Sequence, residues 1–321
     1  MNQTETVLNP FAQDIERGFS SPRKFIPSKY FYDAAGDALF QKIMHLPEYY
    51  LTAAEYEIFR TRSAEIIRDA GLQPGVQVIE LGAGDGTKTK LLLREMMKTG
   101  IDFTYHPIDI SGHVLEVLER NMKSELGDTL RVMPVTGDYF EALRSAHFSE
   151  KRQKFMLFLG STIGNFDDDD GSGFIARLAG AMNPRDLLLV GFDLKKDPQV
   201  IAAAYNDSAG ITRAFNMNLL LRINRELDAD FDIGKFAHYP LYDPEMGAAK
   251  SYLVSKKKQT VSVGALQRTF DFGAGEVIFT EISRKYDMGD MIRFARVAGL
   301  EVQNEYRDAR GYFADVSMKK A

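Results

Sequence analysis

The sequence predicts an α/β fold: a doubly wound, mostly parallel sheet joined to an accessory α+β domain. Three observations carry this. Apolar strands alternate with amphipathic helices from residue 76 onward, a glycine-rich turn follows the first strand, and the rhythm changes between about residues 197 and 286 before resuming. Continuously apolar strands separated by helices imply a sheet covered on both faces.

Taken in order, residues 1–69 show helical periodicity interrupted by Pro22, Pro27 and Pro47, with 53–69 the clearest amphipathic helix. They are expected to form the helical part of the accessory domain. Strands are predicted at 76–81, 103–108, 131–136, 155–159 and 186–193, with helices at 88–98, 112–125 and 171–182 between them. The stretch 197–286 reads as an insertion, with helices around 199–227 and antiparallel strands at 251–254, 261–263, 269–272 and 277–286. A helix at 288–298 and paired strands at 301–306 and 312–318 would close the sheet. The expected division is therefore 70–196 with 287–321 as the nucleotide-binding domain, and 1–69 with 197–286 as an accessory lid over the strand ends, where such sheets bind ligands.

The run Val76-Gln77-Val78-Ile79-Glu80-Leu81-Gly82-Ala83-Gly84-Asp85-Gly86-Thr87 joins a buried strand to a glycine turn and a helix N-terminus, a place suited to a nucleotide cofactor. The second strand ends in Asp109, where an acidic residue meets a ribose diol in folds of this kind. A nicotinamide fingerprint requires G-x-G-x-x-G/A, whereas Gly82, Gly84 and Gly86 are followed by Thr87 and Lys88. The spacing resembles instead the E-x-G-x-G loop of class I S-adenosylmethionine (SAM) methyltransferases, which are Rossmann-like. An ordinary βα turn with a helix cap is the alternative. Gly137-Asp138-Tyr139, after the third strand, suits an adenine site or simply a turn, and Lys88 either meets a cofactor carboxylate or is an exposed helix lysine.

Composition removes several classes of function. A net charge of −5 and a pI near 5.7 argue against broad phosphate-backbone binding. Lys256-Lys257-Lys258 lies between strand-like runs and reads as a hairpin turn. With no cysteine, disulfides, thiolate metal sites and thiol nucleophiles are excluded, and no metal is expected. Residues 1–6 carry no signal pattern and no apolar run is long enough to span a bilayer, so a cytoplasmic monomer with neither nucleic-acid nor membrane partners is the expectation.

The fourth strand leads into Phe158-Leu159-Gly160-Ser161-Thr162-Ile163-Gly164-Asn165-Phe166, where methyltransferases meet their acceptor. The D/N-P-P-Y/F loop of DNA and protein-glutamine enzymes is missing. Asn165 offers an acceptor and two donors that can orient an amine or carboxylate; loop closure is its plainer role. The following Asp167-Asp168-Asp169-Asp170-Gly171 reads as a helix N-terminus favourable to the dipole, and lacks the later glutamate of a calcium loop.

Taken together, the chain resembles the ergothioneine-pathway histidine Nα-methyltransferases, which convert L-histidine to its betaine, hercynine, by three SAM-dependent methylations. The resemblance spans nearly the whole length. It rests on Phe31-Tyr32-Asp33, Leu46-Pro47-Glu48-Tyr49-Tyr50, Glu80-Leu81-Gly82-Ala83-Gly84, residues 158–165, Asn224-Arg225-Glu226-Leu227 and Thr280-Glu281-Ile282-Ser283. It implies SAM as methyl donor, bound at Gly82, Lys88, Asp109, Asp138 and Tyr139. It implies that Tyr49, Asn165, Tyr205, Glu281 and Ser283 hold histidine, with Tyr49, Asn165 and Tyr205 positioning its amine and carboxylate. Glu281 and Ser283 are two apart on one strand and can read the imidazole nitrogens together. One position departs: the methionine expected beside the substrate ring falls here on Ser251. Methylation of another amino acid is the alternative reading; a non-catalytic SAM-binding scaffold and a macromolecular methyltransferase, which would need an open basic channel, are the competing classes.

Overall fold

The computed structural model describes residues 9–144, 148, 151–166 and 168–321, with the side chains of 168–170 left aside. The expectations for residues 1–6, for Asp167 and for the acidic side chains that follow it lie outside the described residues. In chain order the elements are α1 (Pro10–Ser20), α2 (Ala34–Met44), α3 (Tyr50–Ala70), β1 (Val76–Leu81), α4 (Thr89–Thr99), β2 (Phe103–Asp109), α5 (Gly112–Leu126), β3 (Val135–Thr136), α6 (Tyr139–Arg144), β4 (Lys154–Phe158), α7 (Asp168–Gly180) and β5 (Leu187–Asp193). After these come α8 (Pro198–Tyr205), α9 (Ile211–Leu227), β6 (Phe236–Asp243), β7 (Ala248–Ser255), β8 (Gln259–Val263), β9 (Arg268–Phe272), β10 (Val277–Arg284), α10 (Met288–Val297), β11 (Leu300–Arg307) and β12 (Phe313–Lys320).

Contacts divide the chain into a sheet unit, Leu51–Lys195 with Arg284–Ala321, and an accessory unit, Met1–Tyr50 with Lys196–Ser283. In the sheet unit seven strands run in the order β11-β12-β5-β4-β1-β2-β3. Strands β1 to β5 pair in parallel, and β12 enters antiparallel between β5 and β11. This is the class I SAM-methyltransferase arrangement, with the reversed strand supplied from beyond the insertion. Because side chains alternate across a strand, Val78, Phe155 and Leu189 enter one apolar core, and Ile79, Met156 and Val190 enter another on the opposite face. The order reverses at β1, so the loops after β1 and β4 leave in opposite directions and open a crevice at the strand ends.

Two boundaries differ from the sequence expectation. The helix expected at 53–69 packs Ala54, Ile58, Phe59, Ile66 and Ile67 into the sheet unit's core, so that unit begins near residue 51 rather than 70. The third strand shrinks to Val135–Thr136, preceded by a single bridge from Val132 to Tyr105. Pro134 lies between the two and has no N–H to give a ladder.

The accessory unit has its own core, in which Phe11, Ile15 and Phe19 of α1 meet Phe215, Leu219 and Ile223 of α9 and residues of the surrounding strands. Its strands form a three-stranded sheet, β10-β7-β6, and a separate hairpin, β8-β9. Strand β6 escapes the sequence reading because Pro240 interrupts it. It is an edge strand paired only with β7, where a proline is tolerated. Lys256–Lys258 are exposed between β7 and β8, as expected, but those strands belong to separate sheets, so the link is not the hairpin turn the sequence suggested. No described helix is long and apolar enough to cross a membrane.

Candidate functional site

At the mouth of β1 the three glycines serve different needs. Gly82 sits at φ 72°, and a Cβ there would lie 2.7 Å from the Tyr139 hydroxyl, so only glycine lets the loop and α6 approach this closely. Gly84, at φ 54°, faces open space, leaving its backbone accessible to a ligand. Gly86 is crowded from behind by Met122 and Leu118 of α5. Beneath the loop Glu80 is buried and receives the Thr89 hydroxyl at 2.6 Å and the Tyr105 hydroxyl. Burial pushes its carboxyl up to about 7, although the two hydrogen bonds pull the other way.

The structure brings together four of the five residues assigned to SAM. Asp109 ends β2; its Oδ1 accepts the N–H of Ser111 at 3.0 Å and its carbonyl accepts that of Gly137 at 3.0 Å. Asp138 follows β3, and its Oδ1 accepts from Phe140 at 2.9 Å and Glu141 at 3.2 Å, so the turn role weighed for it is real. Tyr139, half-buried, is pushed up to about 12, first by burial and then by the charges of Asp109 and Asp138. Gly82 touches that tyrosine. A glycine loop with open space, a carboxylate after β2 and an aromatic ring with an acid after β3 fit the donor's amino acid, ribose and adenine parts respectively. Lys88, the fifth, caps α4 and pairs its ammonium with Glu55, a partner not anticipated from the sequence.

The acceptor loop is also held firmly. After β4, Ser161 adopts a left-handed φ of 55° and leads into a tight turn, Thr162–Asn165, that sets Asn165 half-buried at its end. The Ser161 hydroxyl accepts the Asp193 N–H at 2.9 Å, and Tyr286 donates to the Ile163 carbonyl at 3.0 Å. Gly164 packs so near the backbone of Arg284 that a Cβ would lie 2.9 Å from its carbonyl oxygen. Beside these contacts Lys285 and Asp193 form an ion pair of 2.8 Å with both side chains wholly buried. A lysine next to Thr280–Ser283, after an apolar strand, is the signal that could have exposed this pair.

Within the accessory unit three of the other assigned residues meet at β10. Glu281 and Ser283 both lie on that strand, and the Tyr205 hydroxyl, at the end of α8, donates to Ser283 Oγ at 2.7 Å. Tyr49 lies half-buried against Phe40. Its neighbour Glu48 accepts from Ser208 Oγ at 2.9 Å, which ties the Leu46–Tyr50 block to the loop just after Tyr205. Two further blocks meet where Arg225 pairs with Asp33. Thr280 donates to Asn216 Oδ1 at 2.8 Å, while Ser251 is buried and its hydroxyl has no hydrogen-bond partner among the described residues. Asn165 belongs to the sheet unit and the remaining four acceptor residues to the accessory unit.

A family profile described as "Histidine-specific methyltransferase, SAM-dependent" matches residues 11–320. Histidine N-alpha-methyltransferase of Mycolicibacterium smegmatis is 38% identical over 309 residues, covering 96% of this chain and 94% of that protein. The protein of the same name from Mycobacterium tuberculosis is 38% identical over 301 residues, covering 94% of this chain and 92% of its own. Ergothioneine biosynthesis protein 1 of Schizosaccharomyces pombe is 32% identical over 288 residues, which are 88% of this chain and 36% of that larger protein.

Proposed function

This chain belongs to the SAM-dependent, histidine-specific methyltransferase family, and from that premise we propose that it methylates the α-amine of L-histidine three times to give hercynine, a step of ergothioneine biosynthesis. The observation that carries the reading is the Tyr205–Ser283 hydrogen bond on the strand that also bears Glu281. It holds the Ser283 hydroxyl two residues from the Glu281 carboxylate, a donor and an acceptor for a ring with one bare nitrogen and one N–H. Tyr49 and Asn165 are proposed to hold the same substrate, as the sequence resemblance implies.

SAM supplies the methyl group from its sulfonium, and the product sulfide is neutral, so the residues of this chain chiefly align and exclude. Alignment of an amine with a methyl carbon is a proximity effect. Each transfer needs a free lone pair, and the amine's proton leaves to water or a polar neighbour before it. Tyr49, Tyr205 and Asn165 hold the amino acid's backbone end, while Glu281 and Ser283 keep the ring fixed. The amine then turns between rounds, and aromatic faces tolerate its growing positive charge.

Incubation with SAM and a panel of amino acids, read by mass spectrometry, tests this. Histidine is expected to pass through mono- and dimethyl forms to the trimethyl product. A panel in which histidine stays unmodified while another amino acid is methylated overturns the assignment. The unpartnered Ser251 hydroxyl favours one second reading, in which a substrate with an extra polar group replaces histidine, because a buried hydroxyl gains most from a partner.

Asp109 provides a separate check on the donor side. Asp109→Ala is expected to weaken SAM binding by about 1–3 kcal/mol, the cost of leaving charge-assisted hydrogen bonds unmade. Calorimetry giving wild-type affinity in a folded variant would remove Asp109 from the donor site.

A further inference from the structure

The sheet unit buries two carboxylates, Glu55 and Asp315, to which none of the assignments above gives a role. Glu55, on α3, is 1% exposed and Asp315, on β12, is wholly buried. One Glu55 oxygen accepts the N–H of Gly160 at 2.7 Å, the other pairs with the Lys88 ammonium, and Asp315 lies alongside. Gly191 makes the room. It pairs with Asp315 across β5 and β12, and a Cβ there would lie 2.5 Å from Glu55 Oε1.

No donor among the described residues reaches either oxygen of Asp315. Burial first, and the charge of Glu55 second, hold its carboxyl well above the usual carboxylate range. The shift favours the neutral form of Asp315 over the charged one. Lys88 stays charged: burial works against it, but Glu55, then Asp315 and Glu80, outweigh that. The lysine thus faces acids from α3, β1 and β12, and Glu80 is itself held by Thr89 and by Tyr105 of β2.

We propose that Glu55 is a positioning residue for methyl transfer, its carboxylate tying Lys88 of the donor loop to the backbone N–H of Gly160, where the acceptor loop ending in Asn165 begins. The inference rests on the reading of Lys88 as a SAM contact. The two loops part at the reversal of the sheet, and transfer tolerates little error in the distance from methyl carbon to nitrogen. A buried strut between their roots fixes the two ends relative to each other. Asp315 and Gly191 keep the strut in its slot.

Glu55→Gln preserves the shape but leaves an amide that can satisfy only one neighbour. Its oxygen turned to Gly160 aims N–H groups at the ammonium, and the opposite rotamer aims them at the Gly160 N–H. Calorimetry with SAM itself is expected to show a dissociation constant raised about tenfold, with a slower single turnover at saturating SAM and histidine. In a Lys88→Met background the same substitution is expected to change SAM affinity by less than about twofold, because the strut has already lost its cation. A full tenfold effect in that background, or wild-type affinity in folded Glu55→Gln, overturns the proposal. Gly191→Ala displaces the carboxylate without removing a charge and is expected to weaken SAM similarly. Should Glu55→Gln not fold, this variant decides, and unchanged affinity in it is equally fatal. Wild-type protein that binds SAM but methylates no amino acid defeats the functional reading, while the SAM-affinity comparison still judges Glu55.

Discussion

Glu281→Ala is expected to lower kcat/KM for L-histidine by about 10–100-fold, the effect of one charge-assisted hydrogen bond worth roughly 1.5–3 kcal/mol. A carboxylate that accepts an imidazole N–H discriminates by leaving a buried polar group unpaired when the wrong ring enters, whereas an apolar wall separates rings of similar size only weakly. The loss should therefore fall on histidine far more than on phenylalanine. Glu281 lies half-buried on β10 two residues from Ser283, which is held by Tyr205 at 2.7 Å. Ser283→Ala is expected to do less, because water can replace a neutral hydroxyl. Steady-state kinetics with both amino acids decides: equal losses for the two substrates would mean that Glu281 serves the amine or the fold, not the ring.

The second large effect concerns stability. Lys285→Met leaves the Asp193 carboxylate buried without its ammonium, and breaking one side of a fully buried pair costs about 3–5 kcal/mol. The unit is small enough in margin for that to matter, since folded proteins are stable by only about 5–15 kcal/mol. Denaturant unfolding followed by a probe in the sheet unit should show the loss, and Lys285→Met with Asp193→Leu should recover much of it. A single variant as stable as wild type would mean that water or another group satisfies Asp193. Because Asp193 also anchors Ser161, the single variant should lose turnover even where it remains folded.

What the sequence revealed, and what it hid, follows from how far each feature depends on distant residues. Strand β1, its glycine loop and Asp109 were legible because an apolar run, a turn and an acid succeed one another locally. The alternation of strands and helices was legible for the same reason. Strand β6 was obscured by Pro240, which is acceptable only because the strand lies at an edge, a fact fixed by pairing rather than by local pattern. Pro134 shortened β3, a break that the expected strand at 131–136 did not take into account. The allegiance of α3 to the sheet unit depended on which core its apolar stripe meets.

The site divides along the same line. Gly82, Asp109, Asp138 and Tyr139 sit at consecutive strand ends, so their grouping could be read from position alone. The place of Lys88 at the start of α4 was legible too, but not its partner, since Glu55 lies 33 residues earlier in the chain. A clue was present: Glu55 occupies the apolar stripe of α3, four residues after Leu51 and four before Phe59, where a charge has no business unless something buried answers it. Lys285 and Asp193 are likewise joined only by topology. Periodicity can mark a residue as buried, yet it says nothing about what it is buried against.

The interrupted sheet also dictates an order of assembly during synthesis. Strand β5 is complete at Asp193, but β12, which covers its free edge, begins only at Phe313. At about 5–20 residues per second the ribosome leaves that edge unpaired for on the order of ten seconds. During that time every strand of the accessory unit emerges, so its own three-stranded sheet and hairpin can form first. An uncovered edge of an apolar parallel sheet is a template for pairing with another chain. The nascent protein is thus most exposed to aggregation between its sixth and last strands, when the sheet unit still lacks β11 and the β12 that covers β5.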